Sequence, residues 1–230
     1  MGILREQDRP AMAKGILCGI VTIPLGVLAG GIAAGFPIGM VLRNLIPIVL
    51  IALLIALGLW RAERAMVKGF SLFGKIVVVL VTVGLAAAIV EALTGFVIIP
   101  GMAPISEGFA TVGTIAILLA GAFPLVFILT KLLRRPLMAA GRMLGINDAA
   151  AAGLIASLAN SIATFGMVKD MNERGKVVNI AFAVSAAFVF GDHLGFTAGF
   201  APEMIGPMMI GKLTGGISAV AVALWLTKRD

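Results

Sequence analysis

Seven apolar stretches follow one another along this chain with only short gaps between them, and that succession confines the fold to a lipid bilayer. The stretches are 15–36, 45–60, 70–93, 109–130, 149–168, 177–200 and 208–227. A run of about 20 apolar residues is longer than a soluble core helix uses, and at helical rise it matches the hydrocarbon thickness. The chain is 60% hydrophobic and only 13% charged, too little charge to cover a soluble domain of this size. No polar linker or low-complexity tract divides the stretches. Residues 1–230 therefore read as a single transmembrane domain, an all-α polytopic helical bundle.

The net charge of +7 does not point to nucleic acid. The cations sit in short gaps beside apolar runs, which is the topogenic pattern, and no basic stripe is interleaved with aromatics. Counted gap by gap, Lys and Arg number three (Arg5, Arg9, Lys14), one (Arg43), three (Arg61, Arg64, Lys68), none, four (Lys131, Arg134, Arg135, Arg142), three (Lys169, Arg174, Lys176), none and two (Lys228, Arg229). The positive-inside rule then places both termini in the cytoplasm. Residues 1–14, with Glu6 and Asp8 among the cations, form a charged lead-in rather than a cleavable signal.

Two of the basic gaps are consecutive, and they flank 149–168. If that stretch crossed the bilayer, one basic loop would lie outside and every later gap would be inverted. A re-entrant hairpin over 149–168 removes the conflict. Each leg holds about ten residues, a reach of about 15 Å that ends near the midplane. Ala and Gly dominate the stretch, with Ser157, Asn160, Ser161 and Thr164 near the tip. Small residues let helices approach closely, and a polar tip is tolerated where it meets protein or a wet cavity. The competing reading is an ordinary span with one exceptional loop. The expected architecture is about six transmembrane helices plus one re-entrant hairpin. Residues 131–147 mix cations with Leu and Met and read as an amphipathic surface stretch broken by Pro136.

Little of the usual enzyme chemistry is available. Cys18 is the only cysteine and His193 the only histidine, so no ordinary zinc or iron–sulfur ligand set exists, and no cofactor is expected. Ionisable groups inside spans are costly and become functional candidates. Asp192 and His193 lie in Gly191-Asp192-His193-Leu194-Gly195, where the flanking glycines weaken the helix. A helix broken there would offer freed carbonyls and a half-helix end to a ligand. Asp192 would meet a cation and His193 would donate or accept a hydrogen bond. Alternatively, Asp192 forms a structural ion pair with Lys212 or with His193. Asn160 and Ser161 can hold an amine, a hydroxyl or a water, or they can satisfy the turn's own backbone. The glycine-rich 26–35 segment reads as helix packing, since no Gly-Lys-Ser/Thr follows it.

Several of these segments together resemble a known family. They are Ala152-Gly153-Leu154-Ile155-Ala156-Ser157-Leu158-Ala159-Asn160-Ser161, Arg174-Gly175-Lys176-Val177, Ala181-Phe182-Ala183-Val184-Ser185-Ala186-Ala187-Phe188 and Gly191-Asp192-His193-Leu194-Gly195-Phe196. Val21-Thr22-Ile23-Pro24-Leu25-Gly26 and Gly211-Lys212-Leu213-Thr214-Gly215-Gly216 agree. The chain resembles the C-terminal half of the ethanolamine permeases of bacterial ethanolamine utilisation. The resemblance implies a multi-pass inner-membrane protein that admits ethanolamine to the cytoplasm. Asp192 would take the ammonium, and Asn160, Ser161 and His193 would read the hydroxyl. It also leaves room for a separate N-terminal half or a homo-oligomer as partner. Two rival readings remain: a non-transporting subunit, and an intramembrane enzyme using Asp192 and His193. Adjacent helical residues diverge by about 100°, which disfavours the enzyme.

Overall fold

The computed structural model describes residues 6–227, and every regular element among them is helical. Arg5, Lys228 and Arg229, which entered the charge count, lie outside the described residues. The elements are α1 (Arg9–Ala33), α2 (Ile38–Thr94), α3 (Ile105–Leu144), α4 (Asp148–Ala159), α5 (Ser161–Met167), α6 (Glu173–Ala186), α7 (Asp192–Phe200) and α8 (Ile205–Leu226).

Among the described residues, four segments are long and apolar enough to cross a membrane: Arg9–Ala33, Ile38–Ala62, Arg64–Thr94 and Pro202–Leu226. Of the two other expected spans, 109–130 lies within α3. The 177–200 stretch is divided between α6 and α7.

Two of the expected gaps contain no loop. α2 is two helices that meet at a kink, and they match the spans Ile38–Ala62 and Arg64–Thr94. Its break is the single non-helical residue Ala62 (φ −143°, ψ 49°), inside the basic gap 61–69, so the two spans join by a kink and not a loop. α3 likewise continues through Pro124 and Pro136 to Leu144, so Pro136 does not break it. A proline removes one N–H, and the flanking turns carry the helix past the defect.

The core is the triad α1, α6 and α8. Gly15 and Gly19 of α1 lie against Ile180 and Val184 of α6, so these two helices run parallel. Gly26 and Gly30 of α1 lie against Gly211 and Gly215 of α8 in reverse order, so α8 runs antiparallel. A Cβ on Gly26 would lie 2.6 Å from the Gly211 carbonyl oxygen and 3.2 Å from Gly215 Cα. The glycines let the backbones touch, and the expected packing role of the 26–35 segment is what the structure shows for Gly26 and Gly30. The Thr22 hydroxyl lies 2.8 Å from the Gly19 carbonyl and 3.1 Å from that of Gly215, so its one proton can serve either helix.

A polar clasp closes one end of the triad. Lys176 Nζ pairs with Asp8 at 2.8 Å and with Glu173 at 2.6 Å. Arg174 donates to the Thr227 and Leu224 carbonyls at 2.7 and 3.2 Å. Those carbonyls end α8 and have no partner within the helix. Both ends of the described chain therefore sit at the same end of the bundle.

Candidate functional site

Two discontinuous helical segments meet at one place, and the local sequence dictates both breaks. Asn147 and Asn172 start α4 and α6 by the same device. Each side-chain oxygen accepts from the N–H three residues on, Ala150 and Gly175, at 3.1 Å. An acid, Asp148 or Glu173, follows each cap at the positive end of the helix dipole. The two caps also bind each other's strand of chain. Asn147 Nδ2 donates to the Asp170 carbonyl at 2.8 Å, and Asn172 Nδ2 to that of Gly145 at 3.0 Å. The beginning of α4 and the residues after α5 are thus held together.

Between them the chain turns at Asn160, which is extended (φ −156°, ψ 119°). Its Oδ1 accepts from the Ile162 N–H at 2.7 Å, which starts α5. Thr164, fully buried, donates back to the Gly153 carbonyl at 3.0 Å and fixes α5 against α4. Asn179 of α6, also fully buried, donates to the Ala150 carbonyl at 2.9 Å and ties the pair to the triad.

The second break, Ala187–Gly191, separates α6 from α7. Phe188 takes the left-handed conformation (φ 61°), which costs a non-glycine residue about 1–2 kcal/mol. What holds it there is the open end of α4. The Phe188 N–H donates to the Ser157 carbonyl and the Phe190 N–H to the Leu158 carbonyl, both at 2.9 Å. Away from water these carbonyls would otherwise be orphaned, so each break satisfies the other. Gly191 completes the crossing, because a Cβ there would collide with the Ala159 carbonyl oxygen.

A cavity of about 290 Å³ opens beside this crossing. Its walls include Ser161 and Phe165 of α5, Phe188 and His193 of the second break and α7, Met12 and Ile16 of α1, and Lys212 of α8. The Phe188 and His193 rings lie 5.6 Å apart, tilted by 53°. Ser161 and His193, proposed from the sequence, are therefore brought together. Asn160 and Asp192 are not on this wall. Asn160 uses its side-chain oxygen on the turn, and Asp192 is the exposed first residue of α7.

The alternative of an ion pair between Asp192 and Lys212 is not what the structure holds: no salt bridge within 4.0 Å joins them among the described residues. The cause is the direction of the two helices. α7 turns toward α3, with Gly195 against Ile115 and Gly199 against Thr114, while Lys212 faces the space between α1, α6 and α8.

A second cavity of about 490 Å³ was not foreseen. It lies between α1, α2 and α8, with Gly26, Gly30, Asn44, Ser185 and Lys212 among its walls. Glycines on α1 leave the room it occupies, and that was the one signal in the sequence. Among the described residues no group of three or more His, Cys, Asp or Glu could hold a metal ion.

Comparison with known proteins bears on this arrangement. Residues 1–226 match the family described as "Ethanolamine utilisation protein, EutH". The chain is 57% identical over 229 residues to a "Probable ethanolamine permease EutH" of Listeria monocytogenes serotype 1/2a (strain 10403S), covering 100% of this chain and 61% of that protein. It is 51% identical over 227 residues to "Uncharacterized protein YxeR" of Bacillus subtilis (strain 168), covering 99% and 61%. A "Probable ethanolamine permease EutH" of Salmonella typhimurium is 45% identical over 253 residues, covering 100% and 62%. The chain thus spans about three-fifths of the length of these relatives, rather than the half expected from the resemblance. No solved structure matches it.

Proposed function

Because the chain belongs to the EutH family of ethanolamine utilisation proteins, we propose that it is an ethanolamine permease of the bacterial inner membrane with cytoplasmic termini. It is a multi-pass membrane protein of helices. The observation that carries the reading is the meeting of Ser161 and His193, from two separate helix breaks, on one cavity wall. Ethanolamine has four heavy atoms, one amine and one hydroxyl, and a 290 Å³ cavity admits it with water to spare. Ser161 offers a donor and an acceptor, and His193 offers one of each when neutral. Asp192, exposed at the head of α7, draws the ammonium toward the cavity mouth, and Asn160 supplies its amide N–H₂ at the tip.

The reading is of transport and not catalysis. Asp192 and His193 are successive helical residues, and only His193 is on the cavity wall. Uptake of labelled ethanolamine tests the assignments. Ser161→Ala and His193→Ala are each expected to lower uptake about tenfold at low substrate, the loss of one hydrogen bond of about 1.4 kcal/mol. Asp192→Asn and Asn160→Ala are expected to lower it as well. Uptake that survives Asp192→Asn and Asn160→Ala unchanged removes those two residues from the site.

Residues 149–168 are proposed as a re-entrant hairpin, supported by the clasp of Asn147 and Asn172 and by the turn at Asn160. Cysteines at positions 148 and 173 are then expected to react from the cytoplasmic side and one at 203 from the other side. Opposite-side labelling of 148 and 173 makes the stretch an ordinary span. In a second reading, a partner chain or a second copy of this one supplies further spans beside it. Co-purification of a second chain, or a homo-oligomer in mild detergent, supports that reading.

A further inference from the structure

The lining of the larger cavity is divided by chemistry. Asn44 of α2, Ser185 of α6 and Lys212 of α8 are its polar side chains among the described residues, and the rest of the wall is apolar or glycine. The three polar groups share one level of the bundle. A Cβ on Gly215 of α8 would lie 2.9 Å from the Ser185 hydroxyl oxygen and 3.6 Å from Gly26 Cα of α1. Lys212 is one helical turn before Gly215 and follows Gly211, which lies against Gly26 and Gly30. Asn44 is one turn beyond Val41, which lies against Gly31. The three therefore fall within about one turn of each other in depth, roughly 5 Å. That level is inside the bilayer: Asn44 is about 9 Å into the span Ile38–Ala62, and Lys212 about 15 Å into Pro202–Leu226. No hydrogen bond or ion pair joins any of the three side chains to another group among the described residues. An amide, a hydroxyl and an ammonium left without partners at that depth are each costly. From this level toward Phe36 the wall is apolar, with Val41 and Met208 on it.

We propose that the larger cavity is a binding site for a monocarboxylate with a short alkyl tail. Its carboxylate sits at the polar level and its tail lies along the apolar wall toward Phe36. The charge is matched one to one: Lys212 is the one Lys or Arg in the lining, and the lining holds no carboxylate. A dianion such as phosphate would bring a second charge with no cation to meet it. The donors match as well. The Lys212 ammonium, the Asn44 amide N–H₂ and the Ser185 hydroxyl come from three helices, and a carboxylate has lone pairs enough to accept from all of them. A halide could take the same donors, but it would leave the apolar wall unused. A cavity of about 490 Å³ with apolar walls and a few convergent polar groups is of the size and kind that holds a small organic ligand. The bound acid ties α2 to α6 and α8 through its head. The site is independent of the permease reading, since ethanolamine carries no negative charge and the cavity of Ser161 and His193 is the smaller one.

Equilibrium dialysis of radiolabelled hexanoate against the full chain in mild detergent tests the site, with gluconate as the background anion. One hexanoate is expected to bind per chain, saturably, and to raise the thermal midpoint as it does so. Unlabelled acetate is expected to compete at least about tenfold more weakly, because it buries fewer methylenes. Hexanol, with the same tail and no charge, is expected not to compete. Lys212→Met, or Lys212→Gln should the first fail to fold, weakens binding at least about tenfold, and Lys212→Arg keeps it. Asn44→Leu weakens it less, and Val27→Phe, which fills the cavity from α1, blocks it with all three donors in place. No saturable binding to the parent chain overturns the site, and so does binding that is equal in Lys212→Met. Chloride or acetate that displaces hexanoate as well as hexanoate itself does overturns the place given to the tail and leaves a site for a bare anion. Binding that survives Val27→Phe moves the site out of this cavity and overturns the proposal. Ethanolamine is absent from every arm, so failure here leaves the permease reading untouched, and loss of uptake leaves this one.

Discussion

Gly26→Leu is expected to leave almost no folded protein in the membrane, while Gly74→Leu folds as the parent does. Both glycines lie inside long apolar helices, so helix propensity and hydropathy favour leucine equally at the two positions. What differs is the space. Around Gly74 nothing lies within 4 Å of an added Cβ. At Gly26 the Cβ meets the Gly211 carbonyl oxygen at 2.6 Å and Gly215 Cα at 3.2 Å, and backbone cannot step aside as a side chain can. Gly26→Ala alone forces α1 and α8 apart at a cost of about 1–3 kcal/mol. Leucine adds three more carbons to the same place. Lipid offers no hydrophobic gain that could restore the contact, because helices in a bilayer associate through close packing and hydrogen bonds. The separation also removes the reach of Thr22 to the Gly215 carbonyl. The yield of monodisperse protein after mild detergent extraction, and its thermal midpoint, read the effect. Equal yields for Gly26→Leu and Gly74→Leu would mean that α1 and α8 do not pack through these glycines.

The helix-packing role of Gly26 and Gly30 was legible because a glycine-rich stretch inside an apolar span, with no phosphate-loop residues after it, has few other uses in a bilayer. The turn at Asn160 was legible for a similar reason: polar residues inside an Ala/Gly stretch need a break or a wet surface. The break near Gly191 was expected from its glycines, but its position was not. The structure puts it at Ala187–Gly191, just upstream, because the carbonyls of Ser157 and Leu158 require donors there. Such a requirement involves residues about 30 apart, and no local pattern reveals it. The same limit hid Lys212 as part of two cavity walls. Depth along a helix is readable from sequence, and that allowed a pair with Asp192. The direction in which α7 leaves the break, toward α3, is not readable, and it carries Asp192 away. The kink at Ala62 illustrates a third limit, since a cluster of charges marks a membrane exit whether the chain there is a loop or a kink between two helices.

The clasp at the bundle end sets the second large effect. Asp8→Ala is expected to destabilise the protein by about 3–5 kcal/mol, and Lys176→Met by a similar amount. From the sequence, Asp8 belonged to a charged lead-in and Lys176 to a basic loop that sets orientation. The structure instead buries both, with side chains 1% and 8% exposed, and holds them 2.8 Å apart. Removing one partner leaves the other charge out of water with little to neutralise it. Glu173 remains beside Lys176 at 2.6 Å but is 70% exposed, so water screens much of its attraction. Without Lys176, the Asp8 carboxylate is itself a buried charge. The double variant Asp8→Ala with Lys176→Met removes both charges and both desolvation costs, so it is expected to be far more stable than the sum of the single effects predicts. A coupling of about 2 kcal/mol or more in a thermal-unfolding cycle in detergent would establish that the two charges act as one unit. Additive losses would instead mean that each charge is solvated separately, and that α1 is held to α6 by Gly15 and Gly19 without the clasp.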